Sequence, residues 1–129
     1  MSDDPAIQVL VLDDIQAIVD ELITLLKLQG MAAIGARTLR EAMEILEVSP
    51  SIRVVTCDVR LGAESGLDLV PRVRENAALA ERSLRYLFIT GDPIPVECLP
   101  ASASHALLTK PVRPRVLLEL VRTMLDNRH

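Results

Sequence analysis

Three carboxylates, a hydroxyl and an ammonium stand out in this chain because each follows a run of apolar residues. Asp13-Asp14 comes after Ile7 to Leu12, Asp58 after Ile52 to Cys57, Thr90 after Leu84 to Ile89, and Lys110, with Thr109, after Ala106 to Leu108. Carboxylates gathered at one place raise one another's pKa unless a cation neutralises them. Mg2+ answers that need, since it takes hard oxygen ligands and is held by one or two carboxylates with phosphate oxygens and water. Phosphoryl transfer onto a carboxylate calls for the same set, because metal and lysine meet the charge on the equatorial oxygens. Lys110 is one of only two lysines beside twelve arginines. A compact ammonium on a flexible stem reaches a buried phosphate where a guanidinium fork does not fit.

Convergence requires a scaffold, and the pattern supplies one. Apolar runs alternate with helical periodicity, as in a parallel sheet covered by helices. Ile7 to Leu12 reads as a buried strand, followed by a helix through Ile15, Ile18, Val19, Leu22, Ile23 and Leu26 that stops near Gly30. Met31 to Ala36 is a second strand. Thr38 with Glu41 forms a capping box that opens a helix to about Val48, ended by Ser49-Pro50. Ile52 to Cys57 is the most β-like stretch and runs into Asp58. A helix spans about Gly66 to Asn76, with Pro71 either in its first turn or at a kink. Leu84 to Ile89 and a minimal Ala106 to Leu108 complete five strands, and Pro114 opens a last helix with Leu117, Leu120, Val121, Met124 and Leu125 on its apolar face. Pro93, Pro95 and Pro100 leave only a short or irregular fourth helix between Thr90 and Lys110. In an open parallel sheet the ligand crevice lies beyond the carboxyl ends of the strands, which is where the five residues sit.

Composition limits the alternatives. At 129 residues the chain is one domain in size, 1–129, with an aliphatic core and one Tyr, one Phe and no Trp. A net charge of −4 argues against a sequence-independent grip on nucleic acid, and few aromatics remain for base stacking. Cys57 and Cys98 lie far apart with two histidines in the chain, so a structural zinc site has no support. The acidic start and the lack of a long apolar run point to a cytoplasmic protein that spans no membrane. His105 and His129 read as exposed or loop residues, and Cys57 as a small core residue that alternation turns away from the Asp58 side.

The combination of Leu12-Asp13-Asp14, Asp58 through Gly66, Phe88-Ile89-Thr90-Gly91 and Thr109-Lys110-Pro111-Val112 resembles the CheY-like receiver domains of two-component response regulators, over nearly the whole chain. The resemblance implies an α/β, flavodoxin-like doubly wound sheet of five parallel strands in the order 2-1-3-4-5, an order that also serves as a general example of this class. It implies that Asp58 accepts a phosphoryl group from a sensor histidine kinase or a histidine phosphotransfer protein. Asp14 and Asp58 would hold Mg2+ directly, Asp13 through water, and Arg60 through its carbonyl. Thr90 and Lys110 would bind the phosphoryl group, and Lys110-Pro111 would be a cis peptide. It implies a signalling module rather than an enzyme, without an output domain, whose output is a protein contact.

Each motif also has a plainer reading. Asp13-Asp14 alone suits a helix N-cap, Asp58 a turn aspartate, and Thr90-Gly91 and Lys110-Pro111 ordinary turn chemistry; their joint placement at strand ends favours the site. The chain departs from the family at Leu107, where many receivers carry a switch Tyr or Phe, and at Gly62, where many carry Pro. With that aromatic absent and prolines in place of the fourth helix, the expectation is that phosphorylation orders the segment after Asp92, which amide exchange over 92–104 would test. The edge of the first helix near Ile15 and Ile18 could dock a kinase helix. Two rivals are a receiver-fold scaffold that is never phosphorylated and an aspartyl-phosphate phosphotransferase. The second calls for an acid two residues after the acceptor, where this chain has Arg60. Glycine spacing matches neither dinucleotide-binding nor P-loop motifs.

Overall fold

The computed structural model describes residues 6–94, 99 and 104–126. The apolar runs become strands: β1 is Val9–Leu12, β2 Ala33–Ala36 and β3 Val54–Asp58. A two-residue hairpin, β4 (Arg60–Leu61) and β5 (Glu64–Ser65), follows, and then β6 (Arg85–Thr90) and β7 (Ser104–Thr109). The helices are α1 (Gln16–Leu28), α2 (Leu39–Val48), α3 (Leu69–Glu75) and α4 (Pro114–Asp126). The main sheet is parallel in the order β2-β1-β3-β6-β7. Counted without the hairpin this is 2-1-3-4-5, the doubly wound flavodoxin-like order implied by the resemblance.

Both faces of the sheet are covered, which is why the central strands read as unbroken apolar runs rather than alternating ones. Leu10, Leu12, Val55, Cys57, Tyr86 and Phe88 pack with residues of α2 and α3 on one face. Val9, Val11, Val54, Leu87 and Ile89 pack with Val19 and Leu26 of α1 and with Leu117, Val121 and Leu125 of α4 on the other. Among the described residues, Thr56 Oγ1 is the one buried side-chain polar atom without a hydrogen-bond partner.

The helix boundaries follow local chemistry. Thr38 caps α2 by accepting from the Glu41 N–H at 3.1 Å, and Pro114 is the first residue of α4, where its missing N–H leaves no bond unmade. A 3-10 turn over Gly66–Asp68 leads into α3, which places Pro71 in that helix's first turn and not at a kink. β7 is twice as long as the minimal strand read from the sequence, because pairing with β6 recruits Ser104 and His105, which carry no strand signature of their own. His105 therefore stands on a strand, half-buried with its ring 6.2 Å from that of Phe88, instead of in a loop. Among the described residues no helix lies between β6 and β7, in keeping with the short or irregular fourth helix. Pro95, Cys98, Pro100 and most of the 92–104 segment lie outside the described residues, as does His129.

Two long-range contacts tie the layers. Arg82, between α3 and β6, donates to the carbonyls of Leu46, Ser49 (3.1 Å) and Ile52 (2.7 Å), placing a cation at the negative end of α2. Gly35 lets α1 lie directly on β2: a Cβ there would stand 2.2 Å from Val19 Cγ1 and 3.1 Å from Ile23 Cδ1. Gly35→Ala is expected to cost about 1–3 kcal/mol by overpacking, read as a lower denaturant midpoint with unchanged slope.

Candidate functional site

The carboxyl ends of the strands are brought level by their register. Leu12 pairs with Cys57, Asp58 with Ile89 and Thr90 with Thr109, so the residue that follows or ends each strand emerges at the same edge. Asp13, Asp58 and Thr90 are buried, with exposures of 4%, 5% and 5%. Such polar groups are stable in an apolar setting only when paired. Carboxylate oxygens of Asp13, Asp14 and Asp58 lie within 4.8 Å of one another. Lys110 Nζ donates to Asp58 Oδ2 at 3.1 Å, and the Arg60 N–H donates to Asp58 Oδ1 at 3.2 Å. One carboxylate thus has a cation on one oxygen and the main chain on the other.

Three acids face one ammonium, so the cluster carries excess negative charge. Burial lifts the Asp13 carboxyl above its usual range, and the charges of Asp58 and Asp14 add to this, while the Ile15 N–H and Lys110 oppose it. A cluster of hard oxygens with unspent charge fits a divalent ion of the Mg2+ type. Folding therefore favours the neutral form of Asp13 in the metal-free protein. Stability from this group declines as pH rises from the ordinary carboxylate pKa through the raised folded value, and the loss is complete above it. Asp13→Asn is expected to raise the melting temperature of the chelator-treated protein at neutral pH, with the difference vanishing in acid. An equal melting temperature at neutral pH would refute this.

Asp13 Oδ1 accepts from the Ile15 N–H at 2.9 Å, but the N-cap of α1 is Ile15 itself, so neither aspartate is an ordinary helix cap. Asp58, Arg60, Thr90, Gly91, Asp92 and Lys110 border a cavity of about 250 Å3. Within it Thr90 does not bond Asp58: its hydroxyl donates to the Asp92 carbonyl at 2.8 Å and accepts from the Asp92 N–H at 3.2 Å. Asp92 also pairs with Arg60 Nη2 at 3.4 Å across the mouth. Lys110-Pro111 is cis.

Several contacts that shape the site escaped the sequence reading. Asp92 looked only like the start of a proline-rich stretch, yet it holds both Thr90 and Arg60. Gly66 presses on the acceptor strand, where a Cβ would stand 2.2 Å from the Asp58 carbonyl oxygen and 2.5 Å from Cys57 Sγ. Cys57 points to the opposite face, as alternation requires, and burial pushes its thiol well above the ordinary range. Gly62 has φ +60° at the first position of the β4–β5 connection, and no described non-glycine residue has positive φ, so Ala63 follows it as in a type II′ turn. A proline, fixed near −65°, cannot occupy that position.

A family model described as the response regulator receiver domain matches residues 9–122. The two-component response regulator PprB of Pseudomonas aeruginosa is 30% identical over 112 residues, 85% of this chain and 40% of that protein. The chain thus spans about two fifths of that relative's length. Among solved structures, a CheY-like response regulator receiver domain protein from Methanospirillum hungatei superposes with a TM-score of 0.78 at 25% identity, over 95% of each chain. A sensor protein from Polaromonas sp. JS666 gives 0.79 at 20% identity over 95% of this chain and 98% of that one, a likeness of fold.

Proposed function

Because the chain belongs to the response regulator receiver domain family of two-component systems, we propose that Asp58 accepts a phosphoryl group from the phosphohistidine of a sensor kinase or a histidine phosphotransfer protein. The observation that carries this reading is the contact of Lys110 Nζ with Asp58 Oδ2 at 3.1 Å beside the acidic cluster of Asp13 and Asp14. In the transfer, an Asp58 oxygen forms a bond to phosphorus as the N–P bond breaks, and the departing imidazole takes up a proton. Lys110, already on the carboxylate, follows the added charge onto a phosphoryl oxygen. Thr90 exchanges Asp92 for another. Asp14, Asp58 and the Arg60 carbonyl, with Asp13 through water, would hold Mg2+, and the ion when bound would add to the neutralisation of that charge.

Partner access has a physical route. A groove of about 540 Å3 between α1 and α4, floored by Ile18, Leu22, Leu25 and Leu117, opens beside Asp13 and Lys110. Ile15, half-exposed, is the N-cap of α1. We assign this groove to a helix of the phosphoryl donor, since such a helix docked there carries its histidine to the site. This receiver unit acts in the cytoplasm and signals through contact with another protein rather than through catalysis. Among the described residues no helix is long and apolar enough to cross a membrane.

Incubation with acetyl phosphate or phosphoramidate and Mg2+, followed by intact mass, is expected to show one phosphoryl adduct. Absence of an adduct from both donors would instead support a scaffold that is never phosphorylated.

A further inference from the structure

Lys110 borders two cavities at once. It lines the acceptor cavity of about 250 Å3, where its Nζ donates to Asp58 Oδ2 at 3.1 Å, and it also lines the groove of about 540 Å3 between α1 and α4. Asp13 of the acidic cluster lies on the groove as well. The acceptor carboxylate and the groove therefore meet at a single ammonium-bearing side chain.

Away from that junction the groove is aliphatic. Ile18, Leu22 and Leu25 recur at helical spacing on α1, each only partly covered, and share the lining with the buried Leu117 of α4. Val112, two residues beyond Lys110, continues the same surface. Glu21, the third charged residue on the lining, is exposed to solvent. An apolar concavity of this volume with a few polar groups gathered at one end has the make-up of a small-molecule site. Its matching ligand has an anionic head for Lys110 and an aliphatic body behind it.

We infer that this groove selects among small phosphoryl donors, so that Asp58 reacts faster with acyl phosphates bearing an aliphatic chain of several carbons than with acetyl phosphate. The inference rests on the reading of Asp58 as the acceptor. With no protein donor docked, the groove is open to a small one. The phosphoryl head lies on Lys110, and a flexible chain turns past that residue onto Ile18, Leu22 and Leu25. In the transfer an Asp58 oxygen bonds to phosphorus as the bond from phosphorus to the acyl oxygen breaks. The electron pair stays on that oxygen, and the chain departs as a carboxylate that needs no proton. Acetyl phosphate offers the same head and the same leaving group but has no chain to bury. Methylenes that stay buried from the free donor through to the transition state raise kcat/KM.

The test follows adduct formation by intact mass, with Mg2+, for acetyl phosphate and hexanoyl phosphate, which differ by four methylenes. Their spontaneous hydrolysis in buffer corrects for intrinsic reactivity. Below saturation, hexanoyl phosphate is expected to react at least about tenfold faster. Leu25→Asn, an uncharged change at a partly exposed position, should bring the two rates to within about threefold of each other. Equal rates from the two donors on the wild-type protein would overturn the inference and leave Asp58 as the acceptor. A preference undiminished in a folded Leu25→Asn variant would overturn it too. No adduct from either donor would remove the acceptor reading, and this inference with it. The wild-type comparison decides the matter even if the variant does not fold.

Discussion

Asp58→Asn is expected to abolish the phosphoryl adduct while leaving the fold intact. The amide keeps the shape of the carboxylate but only one accepting oxygen, so it retains one of the Lys110 and Arg60 contacts, at 3.1 and 3.2 Å on separate oxygens in the parent, and gives up the other. It lacks the charged oxygen that attacks phosphorus. The substitution also lowers the charge of the acidic cluster by one, which relieves repulsion on the buried Asp13 and favours folding of the metal-free protein. Loss of adduct with a retained or raised melting temperature is therefore the combined signature. An adduct of undiminished yield on the variant would move the acceptor to another residue, and tandem mass spectrometry of the modified peptide would identify it.

The second large effect is expected at a residue that carries no reactive group. Gly66 has no room for a methyl group, since the added carbon would meet the Asp58 carbonyl oxygen at 2.2 Å and Cys57 Sγ at 2.5 Å. One obstacle is backbone and the other a buried side chain, so neither yields by rotating into solvent. Gly66→Ala should cost about 1–3 kcal/mol or somewhat more through overpacking. It should also displace the end of β3 that aims Asp58. A misplacement near 1 Å can lower a positioned reaction on the order of a hundredfold, so the rate of adduct formation from acetyl phosphate should fall far more than the folded fraction does. Proportional loss of rate and folded protein would show that Gly66 supports the fold without aiming the carboxylate.

The five strands and the residues at their ends were legible because both depend on short-range patterning, whereas the strand order followed from the family resemblance. Apolar runs mark strands buried on both faces, and the parallel arrangement puts whatever follows them at one edge. Thr38 with Glu41 and Pro114 were legible for a similar reason, as capping chemistry is local. What escaped the reading depends on contacts far apart in sequence. Arg82 reaches carbonyls more than 29 positions away, Arg60 reaches Asp92, and Gly66 packs on residues eight and nine positions earlier. Ser104 and His105 enter β7 only because β6 offers a ladder to join. No periodicity announces any of these.

The Arg82 clasp has a bearing on how the molecule comes apart. The last turn of α2, the entry to β3 and the connection into β6 share one guanidinium, so none can detach while the others stay in place without leaving charge-assisted bonds unmade, each worth about 1.5–3 kcal/mol. These three segments should behave as one cooperative opening unit. A protease attacking the 49–53 connection would then find it only when the loop around Arg82 is also released, and its cleavage rate would report on both. The end of the sheet that carries Asp58 lies outside that unit. Its loops can rearrange without first breaching the segments that Arg82 joins.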